Sequence, residues 1–202
     1  MMKIFHRSIS FLFHPLLVPI TGTAIYFLLT PKYTPIETIL GNILPIFILT
    51  VVIPIIFYLI LRNLGIVSSF FSPTLKEHKY TLYIIISLLL MVNYKVIPQY
   101  YTNELFHFFL GLIAACCTCL FLLFLKFKTS IHLMGMGSLL VFLVGISIHF
   151  EMNVILALSA LTFATGLLAS SRLYLGSHNR GELLVGLLIG LMSQLMTLRF
   201  WL

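Results

Sequence analysis

Long apolar runs separated by short polar stretches set the architecture of this chain. A helix needs roughly 20 apolar residues to cross a bilayer, and seven segments are read as crossings on that measure. They run from about Ser8 to Thr30, Ile36 to Leu61, Tyr80 to Ile97, Leu105 to Leu125 and Ser130 to His149, then from the turn Phe150–Asn153 to Ser170, and from Gly181 to Leu202. Pro15 and Pro19 lie inside the first run and predict a kinked or broken helix. Pro45 and Pro54 lie inside the second. The longest connection, Arg62 to Lys79, contains Gly65, Ser68, Ser69 and Pro73 and ends in Lys76-Glu77-His78-Lys79; Phe70 and Phe71 suit a membrane interface. Tyr100 and Tyr101 place the turn Pro98–Glu104 at headgroup level. No repeat, low-complexity stretch or soluble unit interrupts the pattern. The expected fold is an all-α transmembrane bundle of six or seven helices, one domain over residues 1–202.

Composition agrees. The chain is 60% hydrophobic and 8% charged, with mean hydropathy +1.12, which no soluble core requires. The start, Met-Met-Lys-Ile-Phe-His-Arg, is basic, but the apolar run after it is long and lacks a small-residue cleavage site. It is read as an uncleaved first helix. Cys116, Cys117 and Cys119 lie in mid-span, where cysteine acts as a small hydrophobe; spaced pairs for a metal or disulfide are missing. The net charge of +7 is spread over helix ends. It therefore speaks of loop sidedness, and nucleic acid is not an expected partner.

Seven crossings sort the polar loops strictly. The N-terminus shares one side with Arg62–Lys79, Lys126–His132 and Ser171–Arg180. Five of the seven histidines (His6, His14, His78, His132 and His178) and nine of the twelve Lys and Arg residues fall on that side. Lys32, Lys95 and Arg199 remain on the other, with His149 and Glu151. Three separated polar stretches thus meet at one membrane face.

The densest of them is Ser171-Arg172-Leu-Tyr-Leu-Gly-Ser-His178-Asn-Arg-Gly-Glu182. Ionisable groups at the end of a membrane helix are costly and point to function. A helix beginning near His178 would put His178 and Glu182 on one face, four residues apart. The carboxylate would then hold one ring nitrogen and raise the basicity of the other. Gly176 lets the chain fold back between Arg172 and His178. An arginine, an oriented histidine and a helix N-terminus together suit phosphate.

This stretch resembles the third signature of the type 2 phosphatidic acid phosphatase superfamily, SRxxxxxHxxxD, with Glu182 in place of the aspartate. Thr129-Ser130-Ile131-His132 stands where the superfamily has PSGH; Ser and His match. The first signature, KxxxxxxRP, has only Lys76-Glu77-His78-Lys79 in the corresponding loop, without the Arg-Pro pair. The resemblance is therefore strongest from residue 126 to 202. It implies a two-step phosphoryl transfer without metal or other cofactor. His178 is the implied nucleophile, giving a phosphohistidine, with Glu182 supporting its ring. His132 is the implied acid and base. Arg172, Ser130, Lys76, His78 and Lys79 are the implied phosphate contacts. The absence of any Asp, and the few carboxylates, suit a reaction without Mg²⁺.

The expected activity is hydrolysis of a phospholipid or polyprenyl (di)phosphate monoester, with a membrane lipid as substrate. The sequence leaves the oligomeric state open. The alternative is an inactive scaffold or accessory subunit of the same fold that binds lipid headgroups. A transporter is a third class, which proline-broken helices favour and the lack of repeats opposes. His6, His14, His107 and His149 are read as structural, Arg180 as a flanking charge, and Lys95 as snorkelling. The basic excess places the N-terminus and the site on the cytoplasmic face of a bacterial inner membrane.

Overall fold

A computed structural model describes residues 2–65, 75–97 and 102–202, with only the backbone of Leu75 and Lys76. The described chain is all helix: α1 (Met2–Leu12), α2 (Val18–Leu29), α3 (Ile36–Phe47), α4 (Ile53–Asn63), α5 (Leu75–Lys95), α6 (Asn103–Phe124), α7 (Ile131–His149), α8 (Ile155–Tyr174) and α9 (Arg180–Leu198). Among the described residues, six helical stretches are long and apolar enough to cross a membrane: α1–α2, α3–α4, α6, α7, α8 and α9. Their outward faces stay apolar, with Leu28, Leu156 and Phe163 largely exposed, which fits a multi-pass membrane protein. The remaining long helix, α5, has 21 residues, but Glu77, His78 and Lys79 at one end and Asn93 and Lys95 at the other make it the most polar.

Two details differ from the segment pattern. Helix starts at Met2, ahead of Ser8, because Lys3, His6, Arg7 and Ser10 share one helical face and leave the other apolar. It ends at Leu12, and Pro15–Leu17 forms a 3₁₀ turn capped by His14 before α2 begins, so the first crossing is a broken helix, as its prolines predict. In the second crossing Pro45 and Pro54 each withhold an N–H from the helical ladder. The chain absorbs the break as a π turn over Ile48–Val52.

Helix α7 is the axis of the bundle. It is buried over most of its circumference and packs chiefly against α9, then α8, α6 and α2. Glycine makes the α7–α9 approach possible. A Cβ on Gly186 would lie 2.5 Å from the Ser130 carbonyl, one on Gly190 would overlap the Met134 carbonyl, and one on Gly137 would lie 2.6 Å from that of Leu187. The two backbones are in contact, as in close membrane-helix pairs. At the end of the bundle remote from His178, the buried Glu104 carboxylate accepts hydrogen bonds from Lys32 (2.6 Å) and Tyr26 (3.2 Å) and lies 3.4 Å from His149. This latch ties four segments together. His107 and His149 lie at this end, as the loop sides predict.

Candidate functional site

The Ser171–Glu182 turn is built from two standard helix ends joined back to back. Helix α8 closes with Gly176 at φ +63°. The Gly176 N–H donates to the Leu173 carbonyl (3.0 Å) and the Ser177 N–H to that of Arg172 (3.2 Å), the paired bonds of a Schellman cap. Gly176 thus performs the reversal expected of it. Three residues after Gly176, Asn179 caps α9. Its side chain accepts from the Glu182 N–H (2.8 Å), and the Glu182 carboxylate accepts from the Asn179 N–H (3.3 Å). This reciprocal pair is a capping box.

The capping box changes how His178 and Glu182 meet. Helix α9 begins at Arg180, so His178 lies before the helix and the two residues do not share a helical face. The contact forms regardless, because the carboxylate that reaches back to cap the helix also meets His178 Nδ1 at 2.8 Å. The His178 side chain is only 2% exposed. With a carboxylate at Nδ1, that nitrogen carries the ring proton and Nε2 keeps its lone pair. Burial pushes the imidazole from 6.5 down to about 4; the Glu182 hydrogen bond pulls it up, and the charges of Arg172 and Lys128 push it further down. Neutral His178 with a free Nε2 is the form a nucleophile requires.

Around it stand groups from the starts of α5 and α7, the last turn of α8 and the turn before α2. Arg172, on the last turn of α8, is 5% exposed, and its charge acts on His14, His132 and His178. Its Nε finds no protein partner among the described residues, and neither ring nitrogen of His78 does; His78 is 8% exposed. Such buried, unsatisfied groups cost about 1–3 kcal/mol each, and an anion able to accept from both would recover that. His132, on the first turn of α7, hydrogen-bonds the Ser10 backbone, and its ring lies 5.3 Å from that of His14. His6 pairs with the Ser171 hydroxyl at 3.0 Å and fixes α1 against α8.

The other sequence candidates divide. Ser130 is fully buried, but its groups serve the frame: the hydroxyl accepts from the Leu133 N–H (3.4 Å), and its N–H donates to the Glu182 carbonyl (3.2 Å). It joins the start of α7 to the start of α9. The ammonium of Lys79 lies 4.2 Å from the centre of the Phe124 ring; Lys128, instead, is the lysine whose charge reaches both His78 and His178. The Lys76 side chain lies outside the described residues. His14 belongs with the cluster although the sequence reading leaves it structural. Its signal is its place before Pro15: it caps the 3₁₀ turn through Nδ1, which accepts from the Leu16 N–H at 3.3 Å, and this fixes the ring beside His132. The chain matches no protein-family model, no curated protein and no solved structure, so the chemistry of this site rests on its own geometry.

The electrostatics carry a signed prediction. An NMR titration of the His178 ring should have its midpoint near 4, and Arg172→Gln should move it up towards 6.5 by removing a nearby positive charge. The folded-state value lies below the unfolded one. His178 therefore contributes its full share of stability above pH 6.5 and loses it as pH falls towards 4. A midpoint at 6.5 that ignores Arg172→Gln would contradict the buried, charge-flanked placement.

Proposed function

We propose that this protein is a membrane lipid phosphatase that cleaves a lipid phosphate or diphosphate monoester through a phosphohistidine. The observation that carries this reading is one constellation: neutral His178 held at Nδ1 by Glu182, beside buried Arg172, whose Nε lacks a protein partner among the described residues, and buried His78, whose two ring nitrogens lack one as well.

In the first step His178 Nε2 attacks phosphorus, a P–N bond forms, and the P–O bond to the lipid alcohol breaks. His132 gives its proton to the leaving oxygen. In the second step His132 takes a proton from water, the hydroxide attacks phosphorus, and the P–N bond breaks, returning His178 and free phosphate. Arg172, His78 and Lys128 surround the phosphoryl oxygens, where fixed donors and charge stabilise the transition state most. The resemblance of Ser171–Glu182 and Thr129–His132 to superfamily signatures supports the same assignment. The proposed setting is a bacterial inner membrane with the site facing the cytoplasm. A membrane-impermeant thiol reagent should label a Lys128→Cys variant from the cytoplasmic side only, and labelling from outside would reverse the orientation.

The direct test is phosphate release by detergent-purified protein, with EDTA present, from phosphatidate, phosphatidylglycerol phosphate, a polyprenyl diphosphate and soluble p-nitrophenyl phosphate. Release from at least one is expected. A folded protein that binds these phosphates but releases none would instead be a headgroup-binding scaffold.

A further inference from the structure

Helix α1 turns its apolar side outward, with Ile4 and Phe11 exposed, and buries Ser10 on its polar side. Two hydrogen bonds pin that polar side against the site. His6 Nδ1 lies 3.0 Å from the Ser171 hydroxyl oxygen. That hydroxyl gives its own proton to the Leu167 carbonyl (2.8 Å), so the histidine ring is the donor. Ser171 directly precedes Arg172. One turn further along α1, His132 hydrogen-bonds the Ser10 backbone. The Phe13 N–H goes to the Ile9 carbonyl and the His14 N–H to that of Phe11, which leaves the Ser10 carbonyl to the His132 ring, as a helix end allows. His6 and Ser10 are four residues apart on one helical face. The first is tied to α8 next to Arg172, the second to α7 at His132.

The Ser10 hydroxyl departs from the habit of buried hydroxyls elsewhere in the bundle. Those of Thr23, Thr50, Thr165 and Ser171 each donate to the carbonyl four residues back, at 2.7–2.8 Å, as a Ser or Thr inside a helix commonly does. Ser10 is just as deeply placed, at 2% exposed, yet its Oγ has no partner among the described residues. Arg172 Nε and both ring nitrogens of His78 share that condition. A buried polar group left unpaired is costly. Here three residues on three elements that meet at this site, α1, α5 and α8, each carry one, and a single anion among them would satisfy all three.

We propose that Ser10 is a further binding residue for the anion held by Arg172 and His78, a phosphate monoester or free phosphate, and that α1 forms the wall of the site that delivers it. The proposal rests on the phosphate site of the phosphatase reading. The Ser10 hydroxyl donates to a phosphoryl oxygen, while the carbonyl of the same residue holds the His132 ring. One residue thus sets the acid–base histidine and the group it acts on in a common frame. The polar side of α1 has the same explanation: it faces inward because the site it closes is polar, and the apolar side faces outward because lipid surrounds it.

The test measures binding of inorganic phosphate and of dioctanoyl phosphatidate by titration calorimetry, to detergent-purified wild type, Ser10→Ala and Ser8→Ala. Thermal unfolding of each protein without ligand accompanies it. Ser8, exposed on the same helix, is the control. Ser10→Ala should bind at least one of the two ligands about tenfold more weakly or worse, the worth of a hydrogen bond to a charged acceptor, with Ser8→Ala unchanged. Without ligand, Ser10→Ala should unfold at the wild-type temperature or above, because alanine removes a hydroxyl that has no protein partner. Weaker binding of both ligands shows contact with the phosphoryl group itself; weaker binding of one alone shows whether the hydroxyl serves the lipid ester or the free phosphate. Equal binding by Ser10→Ala and wild type overturns the proposal. So does wild type that binds neither ligand. A lowered unfolding temperature in ligand-free Ser10→Ala overturns it as well, since the hydroxyl would then belong to the frame. Phosphate release judges the phosphatase reading separately. Ser10-dependent binding without release from any substrate keeps the Ser10 contact and overturns that reading, whereas turnover with an unchanged kcat/KM in Ser10→Ala does the reverse.

Discussion

Replacing His178 by alanine is expected to abolish phosphate release while leaving the protein folded. The nucleophile has no substitute in this mechanism: His132 is needed as its acid and base, and Arg172 and Lys128 serve as charges. Loss of a nucleophile that acts as one unit with its acid and base costs roughly 10⁴-fold or more in kcat. The structural cost is smaller. The variant loses the 2.8 Å bond to Glu182, but Glu182 keeps its bond to the Asn179 N–H and so still caps α9. A loss of about 1–3 kcal/mol is expected from the removed buried hydrogen bond, measurable by thermal unfolding in detergent. A companion variant separates nucleophile from acid. In His132→Asn with p-nitrophenyl phosphate, the leaving group needs no proton, so the first step proceeds and the second, which needs a base, stalls. That variant should release one equivalent of p-nitrophenol in a burst and accumulate an acid-labile phosphoenzyme, which the added His178→Ala change removes. Undiminished turnover in His178→Ala would sink the mechanism, and a burst that survives in the double variant would move the nucleophile elsewhere.

The parts of this site that were legible in the sequence are those fixed by counting and by backbone chemistry. Counting helices puts the loops after the second, fourth and sixth crossings on the side of the N-terminus, and the structure brings His78, His132 and Arg172 within electrostatic reach of His178 there. Gly176 is readable because only a residue tolerant of φ +63° closes a Schellman cap and lets the next helix start four residues later, at Arg180. The His178–Glu182 contact was readable as a pair but not in its geometry. Asn179 competes for the helix start, since its side chain caps better than that of histidine, and this moves His178 out of the helix. His14 was hidden because it lies within an apolar run, where a lone histidine has no periodic partner; only the fold brings α7 to it. Lys79 and Lys128 look alike as charges flanking a span, and packing alone distinguishes them, since the Phe124 ring takes the first. The glycine contact between α7 and α9 was only half visible. The small residues of α7 are prominent in the sequence, whereas Gly186 and Gly190 disclose their purpose only when the carbonyls of Ser130 and Met134 are found against them.

That contact yields the second large expected effect. Gly190→Ala should destabilise the protein and impair the site, although the change is one methyl group on a helix. Alanine is the better helix former by about 1 kcal/mol, so intrinsic propensity predicts the opposite sign. The methyl would overlap the Met134 carbonyl, an atom of a helical backbone that cannot rotate away, so α7 and α9 must separate. Overpacking of this kind costs about 1–3 kcal/mol. Separation also acts at a distance. The start of α9 carries the cap that holds Glu182 to His178, the start of α7 carries His132, and the two are joined by the 3.2 Å bond from the Ser130 N–H to the Glu182 carbonyl. A shift of about 1 Å between a nucleophile and its acid costs on the order of 10²-fold in rate. Gly166→Ala is the matched control: a Cβ there meets nothing within 4 Å, so only propensity acts and the unfolding temperature should hold or rise. Gly186→Ala should behave like Gly190→Ala, since its Cβ meets the Ser130 carbonyl at 2.5 Å, nearer the site. If Gly190→Ala instead unfolds at the same temperature as Gly166→Ala and releases phosphate at the wild-type rate, the backbones of α7 and α9 do not touch, and the account of how His132 and His178 are held in register fails with them.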